Sequence, residues 1–283
     1  MGCANIAQRS VIPAILSLKK NFKLSAVASR DHKKATAFSK EFKCKSCHGY
    51  QSLIEMEGLD AVYIPLPTGL HSEWINKSLD AGLHVYAEKS FAMDFNDAVF
   101  MVENAKKKSL GLMEGYMFQY HPQHIYMKNL VQTDAIGSIR FMNSSFGFPP
   151  LDDANFRYNK KIGGGVVMDA AGYPLRAVHS FLGNNMHVTA SSLNFSEQFQ
   201  VPIWGSAYLS DGDGLSAAIG FGFDNFYQCK HEILGSSGKI ISNRVFTAGN
   251  DIAPEIIVEN NEGIKKIKLK RDNHFVNALK EFH

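Results

Sequence analysis

The sequence predicts an α/β protein: a doubly wound parallel sheet, followed by a second α+β domain with a large, mostly antiparallel open sheet. Over residues 1–115, short apolar runs alternate with segments of helical period, the rhythm of βαβ units. Beyond Tyr116, two-residue alternation takes over and few helical segments interrupt it. The chain has 283 residues, 45% hydrophobic and 20% charged, enough to bury two cores. The expected division is therefore 1–115 and 116–283.

Each element follows from local pattern. Gly2 to Ala7 opens a helix running toward Lys19. Leu24–Ser29 is a strand, and Asp31–Phe42 a helix with an acidic cap. A short strand then carries Cys44 and Cys47, and Leu59–Leu66 is a buried strand. Thr68 is expected to cap a helix with Glu73 in its first turn and Gly82 at its stop. After the strand His84–Glu88, Asp94 caps a helix whose negative end carries Lys106, Lys107 and Lys108. Leu110–Glu114 is one more strand. The second half offers Ser138–Gly147, Met186–Phe195, Gly205–Leu209, Leu215–Phe223 and Phe226–Leu234. An open sheet of this kind exposes a face, and a second subunit is the expected cover, giving a homodimer or larger. The strand that should precede Gly2 is missing, and the chain stops inside a helix beginning near Asn273. Both ends are therefore expected to be cut.

Composition excludes several classes. No run approaches the roughly 18 apolar residues of a membrane span, and the N-terminus does not read as a signal peptide. The 30 Lys+Arg against 27 Asp+Glu give a net charge of only +3, with no basic block for nucleic acid. A cytoplasmic protein is expected. Cys44-Lys45-Ser46-Cys47-His48 formally matches the c-type haem attachment pattern. That chemistry requires export, and zinc would need further ligands, so no metal is expected.

The chemistry-bearing residues lie at strand ends and helix starts. Gly2-Cys3-Ala4-Asn5-Ile6-Ala7 fits the dinucleotide fingerprint G-x-G-x-x-G/A, with Ala4 at the second glycine. Gly2, Ala4, Asn5 and Ile6 are thus candidate cofactor contacts at a helix N-terminus. The next strand ends in Ser29-Arg30, where an acidic residue would select NAD; an arginine accommodates the 2′-phosphate of NADP. NADP(H) is expected over NAD(H), with Asp31 serving as helix cap. Glu88-Lys89-Ser90 ends a parallel strand, where open α/β sheets bind ligands, and a lysine there can donate to a substrate oxygen. Gly163-Gly164-Gly165 permits close backbone approach, and Asp169 and Tyr173, four apart, share a helix face beyond it. A carboxylate and a phenol so placed can orient and protonate a substrate oxygen.

Taken together these segments resemble the Gfo/Idh/MocA oxidoreductases over nearly the whole chain. The resemblance runs through GCANIA, VASR at Val27–Arg30, PLPTGLH at Pro65–His71 and AGLHVYAEKS at Ala81–Ser90. It continues in LMEGYMFQYHPQH at Leu112–His124 and, most specifically, FRYNKKIGGGVVMDAAGYPL at Phe156–Leu175. It implies a Rossmann-type domain with Pro67, Thr68, His71, Glu88 and Lys89 beside the cofactor. Lys89 matches the family's active-site lysine, Tyr173 the acid/base position, and Asp169 the aspartate preceding it by four. The version with tyrosine is similar to NDP-hexose 3-ketoreductases, and also to NADP-dependent aldose and dihydrodiol dehydrogenases. It implies hydride transfer from NADPH to a ketone of a sugar, nucleotide-linked and deoxygenated, with Lys89 polarising the oxygen and Tyr173 supplying the proton. Asp169 would hold Tyr173 or a sugar hydroxyl, and Arg157 and Tyr158 are candidates for the substrate's nucleotide part. Two alternatives stay open: an NADP-dependent aldose 1-dehydrogenase, and a non-catalytic cofactor- or sugar-sensing binding protein. Ser90 replaces the family's proline; a cis non-proline peptide costs about 2.5–4 kcal/mol, so a trans turn and a displaced Lys89 are expected.

Overall fold

A computed structural model describes residues 1–283. Its contacts divide the chain into one unit of Met1–Tyr116 with Phe275–His283 and a second of Met117–His274.

The first unit follows the βαβ rhythm. A π-helical turn, Ala7–Val11, leads without a break into α1 (Ile12–Ser17), which carries Pro13 just after it. The strand β1 (Ala26–Ser29) precedes α2 (His32–Phe42), and β2 (Lys45–His48) precedes the short α3 (Gln51–Ile54). Then come β3 (Ala61–Ile64), α4 (His71–Asp80), β4 (His84–Ala87), α5 (Phe95–Lys108) and β5 (Leu112–Glu114). The caps are those the sequence predicts at Asp31, which accepts from Lys33 N and Lys34 N, and at Asp94, which accepts from Asp97 N. Thr68 departs from expectation. It heads a 3₁₀ turn, Thr68–Leu70, and α4 starts at His71 with no side-chain cap.

The parallel strands form two pieces, β1-β2 and β3-β4-β5, rather than one continuous sheet. Met1 and Gly2 hydrogen-bond to both, the Met1 N to Tyr63 O at 2.7 Å and Gly2 N to Ala28 O at 2.8 Å, and Ala28 shares a buried core with Val62 and Ile64. Ile64, Ile75, Leu79, Val85 and Met101, all fully buried, form the core on the β3-β4-β5 side.

The second unit opens with α6 (Pro122–Gln132), then β6 (Ile139–Gly147) and α7 (Gly172–Leu182). Seven more strands follow: β7 (His187–Phe195), β8 (Pro202–Ser210), β9 (Ser216–Gly222), β10 (Gln228–Gly235), β11 (Gly238–Asn243), β12 (Glu255–Asn260) and β13 (Gly263–Lys268). They make one eight-stranded sheet in the order β13-β12-β11-β10-β6-β9-β8-β7, antiparallel except where β6 meets β9. Strand period sorts its residues. Met142, Ser144 and Phe146 of β6 and Ala217, Ile219 and Phe221 of β9 are buried, and α7 packs on these two strands. At the other end β7 is exposed throughout, and Phe195, Trp204 and Tyr208 are about half exposed.

The last helix, α8 (His274–Phe282), belongs with the first unit from Phe275 on, unlike the expected division at residue 115. Its strong apolar face explains this: Leu279 packs with Val11, Ala14 and Tyr86. No helix is long and apolar enough to cross a membrane.

Candidate active site

In the first unit the fingerprint turn is tightly built. Gly2 has φ +82°, a conformation that disfavours any side chain, and a Cβ there would press on Leu66 Cδ2 at 2.6 Å. Ala4 N donates to Gly2 O, Asn5 is exposed and Ile6 half-buried where the helix begins. At the end of β1 the Ser29 hydroxyl accepts from Asp31 N at 3.1 Å. The Asp31 carboxylate is held by the amides of α2, at 2.9 Å from Lys33 N and 3.2 Å from Lys34 N. It is therefore committed to the cap, while Arg30 beside it is exposed. A tight glycine turn at a helix start and an exposed guanidinium at the next strand end fit a dinucleotide bearing an extra phosphate.

Pro67 (ψ 144°) and the buried Thr68 form the turn after β3. His71 is fully buried, with Nδ1 2.8 Å from Ser90 O and Nε2 2.8 Å from Leu66 O. The carbonyls favour its protonation, but burial is the larger effect and lowers its pKa below the ordinary histidine value. With a ring nitrogen close to each of two backbone carbonyls, His71 braces the Leu66 and Ser90 segments. The Glu88 carboxylate accepts from Tyr63 Oη at 2.6 Å. The Lys89–Ser90 peptide is cis, so the expected relaxation to trans does not occur; the His71 contact holds the Ser90 carbonyl in that turn. Lys89 thus follows the C-terminal end of β4, the end at which parallel sheets bind ligands.

In the second unit, the π-helical turn Val167–Ala171 leads into α7 and carries Asp169; such turns are common at functional sites. Asp169 accepts from Arg157 Nε at 2.7 Å, with side-chain exposures of 13% and 27%. Asn155 Oδ1 fixes the other end of this arginine, accepting from Arg157 N at 3.1 Å, and the guanidinium lies 4.7 Å from the Phe156 ring centre. The glycine run makes this loop possible. Gly164 N donates to Asn159 O and Gly165 N to Arg157 O, and a Cβ on Gly164 would sit 2.6 Å and 2.7 Å from those same oxygens. Tyr173 is buried, its ring centre 4.8 Å from Phe146, 5.3 Å from Phe246 and 5.8 Å from Phe118. Three aromatic neighbours from three segments leave its ring one place to be.

Tyr158 is buried, stacked on Phe199 at 4.3 Å, and its hydroxyl accepts from Leu151 N at 3.1 Å. Arg157 is paired with Asp169. Sequence reasoning missed Tyr63, Asn155 and the phenylalanine box, which are distant in sequence from what they hold and carry no local signal. No group of three or more His, Cys, Asp or Glu side chains is arranged to hold a metal ion.

A fingerprint helix start with a strand-end lysine in one unit, and an Asp–Tyr helix on an open sheet in the other, define a nicotinamide-dinucleotide oxidoreductase. The chain belongs to the Gfo/Idh/MocA oxidoreductases: residues 1–116 match the model for the oxidoreductase family with NAD-binding Rossmann fold, and 124–241 the GFO/IDH/MocA C-terminal domain. It is 36% identical over 282 residues to dTDP-3,4-didehydro-2,6-dideoxy-alpha-D-glucose 3-reductase of Saccharopolyspora spinosa, spanning 100% of this chain and 85% of that one. It is also 30% identical over 258 residues to D-xylose 1-dehydrogenase (NADP(+)) 2 of Haloferax volcanii, spanning 90% and 78%. KijD10, a 3-ketoreductase from Actinomadura kijaniata in complex with NADP and TDP-benzene, matches with a TM-score of 0.96 at 34% identity, over 99% of this chain and 86% of that one.

Proposed function

We propose that this protein reduces a keto group of a nucleotide-linked deoxysugar with NADPH, in the cytoplasm. The observation that carries this is similarity along the whole of this chain, and 85% of the relative, to a dTDP-3,4-didehydro-2,6-dideoxy-alpha-D-glucose 3-reductase, together with Lys89 at its strand end and Tyr173 in its aromatic box. Bound NADPH supplies the hydride. The ammonium of Lys89 stabilises the negative charge that develops on the ketone oxygen, and the Tyr173 hydroxyl gives that oxygen its proton. Hydride and proton together convert the carbonyl to a secondary alcohol. Asp169, held by Arg157, fixes the first turn of the helix that carries Tyr173, or accepts from a neighbouring sugar hydroxyl.

The test is turnover of a panel of NDP-3-keto and NDP-4-keto sugars, followed by NADPH absorbance with products identified by mass spectrometry. Lys89→Ala is expected to lose about 10²–10³ in kcat. Tyr173→Phe keeps the ring packing and is expected to lose about 10²–10⁴. Cofactor binding should survive both. A single variant at wild-type rate refutes that residue's role. Turnover of free aldoses with NADP, and of no ketosugar, replaces this reading by the 1-dehydrogenase. Cofactor binding with no turnover on any substrate replaces it by the sensing protein.

The exposed β7-β8 face, with Phe195, Trp204 and Tyr208, is proposed to be covered by a second copy of the chain. A monomeric mass by light scattering at micromolar concentration refutes this.

A further inference from the structure

The strands β1 and β2 end side by side, with Ser29 opposite His48 as the last residues of each. From there the His48 side chain reaches the neighbouring turn, its Nε2 3.1 Å from Arg30 O. A carbonyl only accepts, so it is Nε2 that carries the proton of this contact. We infer that His48 is a positioning residue for the cofactor's 2′-phosphate: it sets the preference for NADP by holding the Arg30 backbone, and touches no cofactor atom itself. The inference rests on the reading of Arg30 as the 2′-phosphate contact.

Three observations support it. The Arg30 backbone is gripped on both sides while its side chain is left exposed. Ser29 O, just before it, accepts from Gly49 N at 2.9 Å, and Asp31 N, just after it, donates to Ser29 Oγ at 3.1 Å. With His48 on Arg30 O, each peptide flanking this arginine has a partner. A guanidinium on a long stem selects a phosphate best when its starting point is fixed, because ordering it at the moment of binding takes free energy from the complex.

The second observation is that the brace is itself held. The His48 ring packs edge-on against His32, the first residue of α2, with centres 5.4 Å apart and planes at 65°. Ser52 Oγ, in α3, donates to the backbone behind it, 2.8 Å from His48 O and 3.1 Å from Gly49 O. One imidazole thus ties the ends of β1 and β2 to the start of α2. The third is the charge around it. Arg30, His32, Lys33, Lys34 and His48 are all exposed, and the neighbouring carboxylate, Asp31, is committed to the amides of Lys33 and Lys34. Lys34 also lies near the fingerprint turn: burial raises the pKa of the Cys3 thiol, and the Lys34 ammonium pulls against it. An anion at Arg30 therefore sits beside a helix N-terminus carrying basic side chains, where negative charge is favoured. The C-x-x-C-H pattern divides accordingly. Cys44 packs on the cluster of Cys3 and Val27, Cys47 on that of Ala28 and Leu53, and the histidine reaches the Arg30 turn.

The test is fluorescence titration of NADPH and NADH into the full chain and its variants. NADH lacks the 2′-phosphate, so a positioning role for His48 shows as a change in one affinity and not in the other. His48→Phe keeps a ring against His32 and deletes the N–H. It should weaken NADPH about fivefold, the loss expected of one neutral hydrogen bond, and leave NADH within about twofold. His48→Gln, whose amide N–H can reach Arg30 O, should retain most of the NADPH affinity. In an Arg30→Ala background, His48→Phe should change neither affinity, because the brace has nothing left to aim. Wild-type NADPH affinity in His48→Phe, or equal weakening of both cofactors, overturns the role of His48 and leaves that of Arg30 standing. A fivefold loss of NADPH affinity from His48→Phe in the Arg30→Ala background also overturns it, and makes His48 a direct phosphate contact. An undiminished NADPH preference in Arg30→Ala overturns the Arg30 reading on which the inference rests.

Discussion

Breaking the Arg157–Asp169 pair should damage stability and catalysis together, and by an amount the structure bounds. Removing one member of a fully buried pair costs about 3–5 kcal/mol, because the other charge stays desolvated. Here the side chains are 27% and 13% exposed, so water reaches the arginine and partly reaches the aspartate. The contact is charge-assisted at 2.7 Å, a class worth about 1.5–3 kcal/mol. Arg157→Met, which keeps the stem beside Phe156, should therefore cost about 2 kcal/mol. Asp169→Asn, whose amide oxygen still accepts from Arg157, should cost about half of that. The double variant should cost less than the sum of the singles, with a coupling of about 1 kcal/mol or more. Urea unfolding followed by circular dichroism gives the stabilities, and single-turnover NADPH oxidation the chemistry. The rate in Arg157→Met should fall more than tenfold with cofactor affinity unchanged, because Asp169 sits four residues before Tyr173 on one helical segment. A loss below about 0.5 kcal/mol with a wild-type rate would refute the positioning role.

Three further outcomes are expected. NADPH should bind at least tenfold more tightly than NADH, and Arg30→Ala should erase the difference, as measured by fluorescence titration; equal affinities in wild-type protein would sink the assignment. Gly164→Ala drives a Cβ against two carbonyls at 2.6 Å and 2.7 Å, and should cost about 1–3 kcal/mol, read as a lower urea midpoint; an unchanged midpoint would mean the loop yields freely. Stability should fall as pH drops below about 6.5. Burial lowers the pKa of His124 to about 4, that of His274 to about 3, and also those of His121 and His231. The unfolded chain takes up protons from about pH 6.5 downward, so His124 and His274 each contribute a loss of up to about 1.4 kcal/mol per pH unit until the folded pKa is reached, and His121 and His231 act in the same direction. Unfolding midpoints that match at pH 7.5 and at about pH 5 would refute this.

Much of the fold was legible because its causes are local. The caps at Asp31 and Asp94, the lysines ending α5 and the alternation along β6 lie within a few residues of what they determine. The positions of Lys89, Asp169 and Tyr173 were readable for a similar reason: strand ends and helix starts announce themselves through Gly, Pro and capping residues. Partnership was not readable. Arg157 reaches Asp169 only because three glycines let the intervening loop fold back on Arg157 O and Asn159 O. His71 became a brace because Leu66 and Ser90 present carbonyls to both of its nitrogens. Tyr158 went to the core because Phe199, forty-one residues on, offers it a ring. Periodicity and capping depend on neighbours along the chain and can be read there; pairing, burial and the aim of a charged side chain depend on neighbours in space, which only the folded chain brings together.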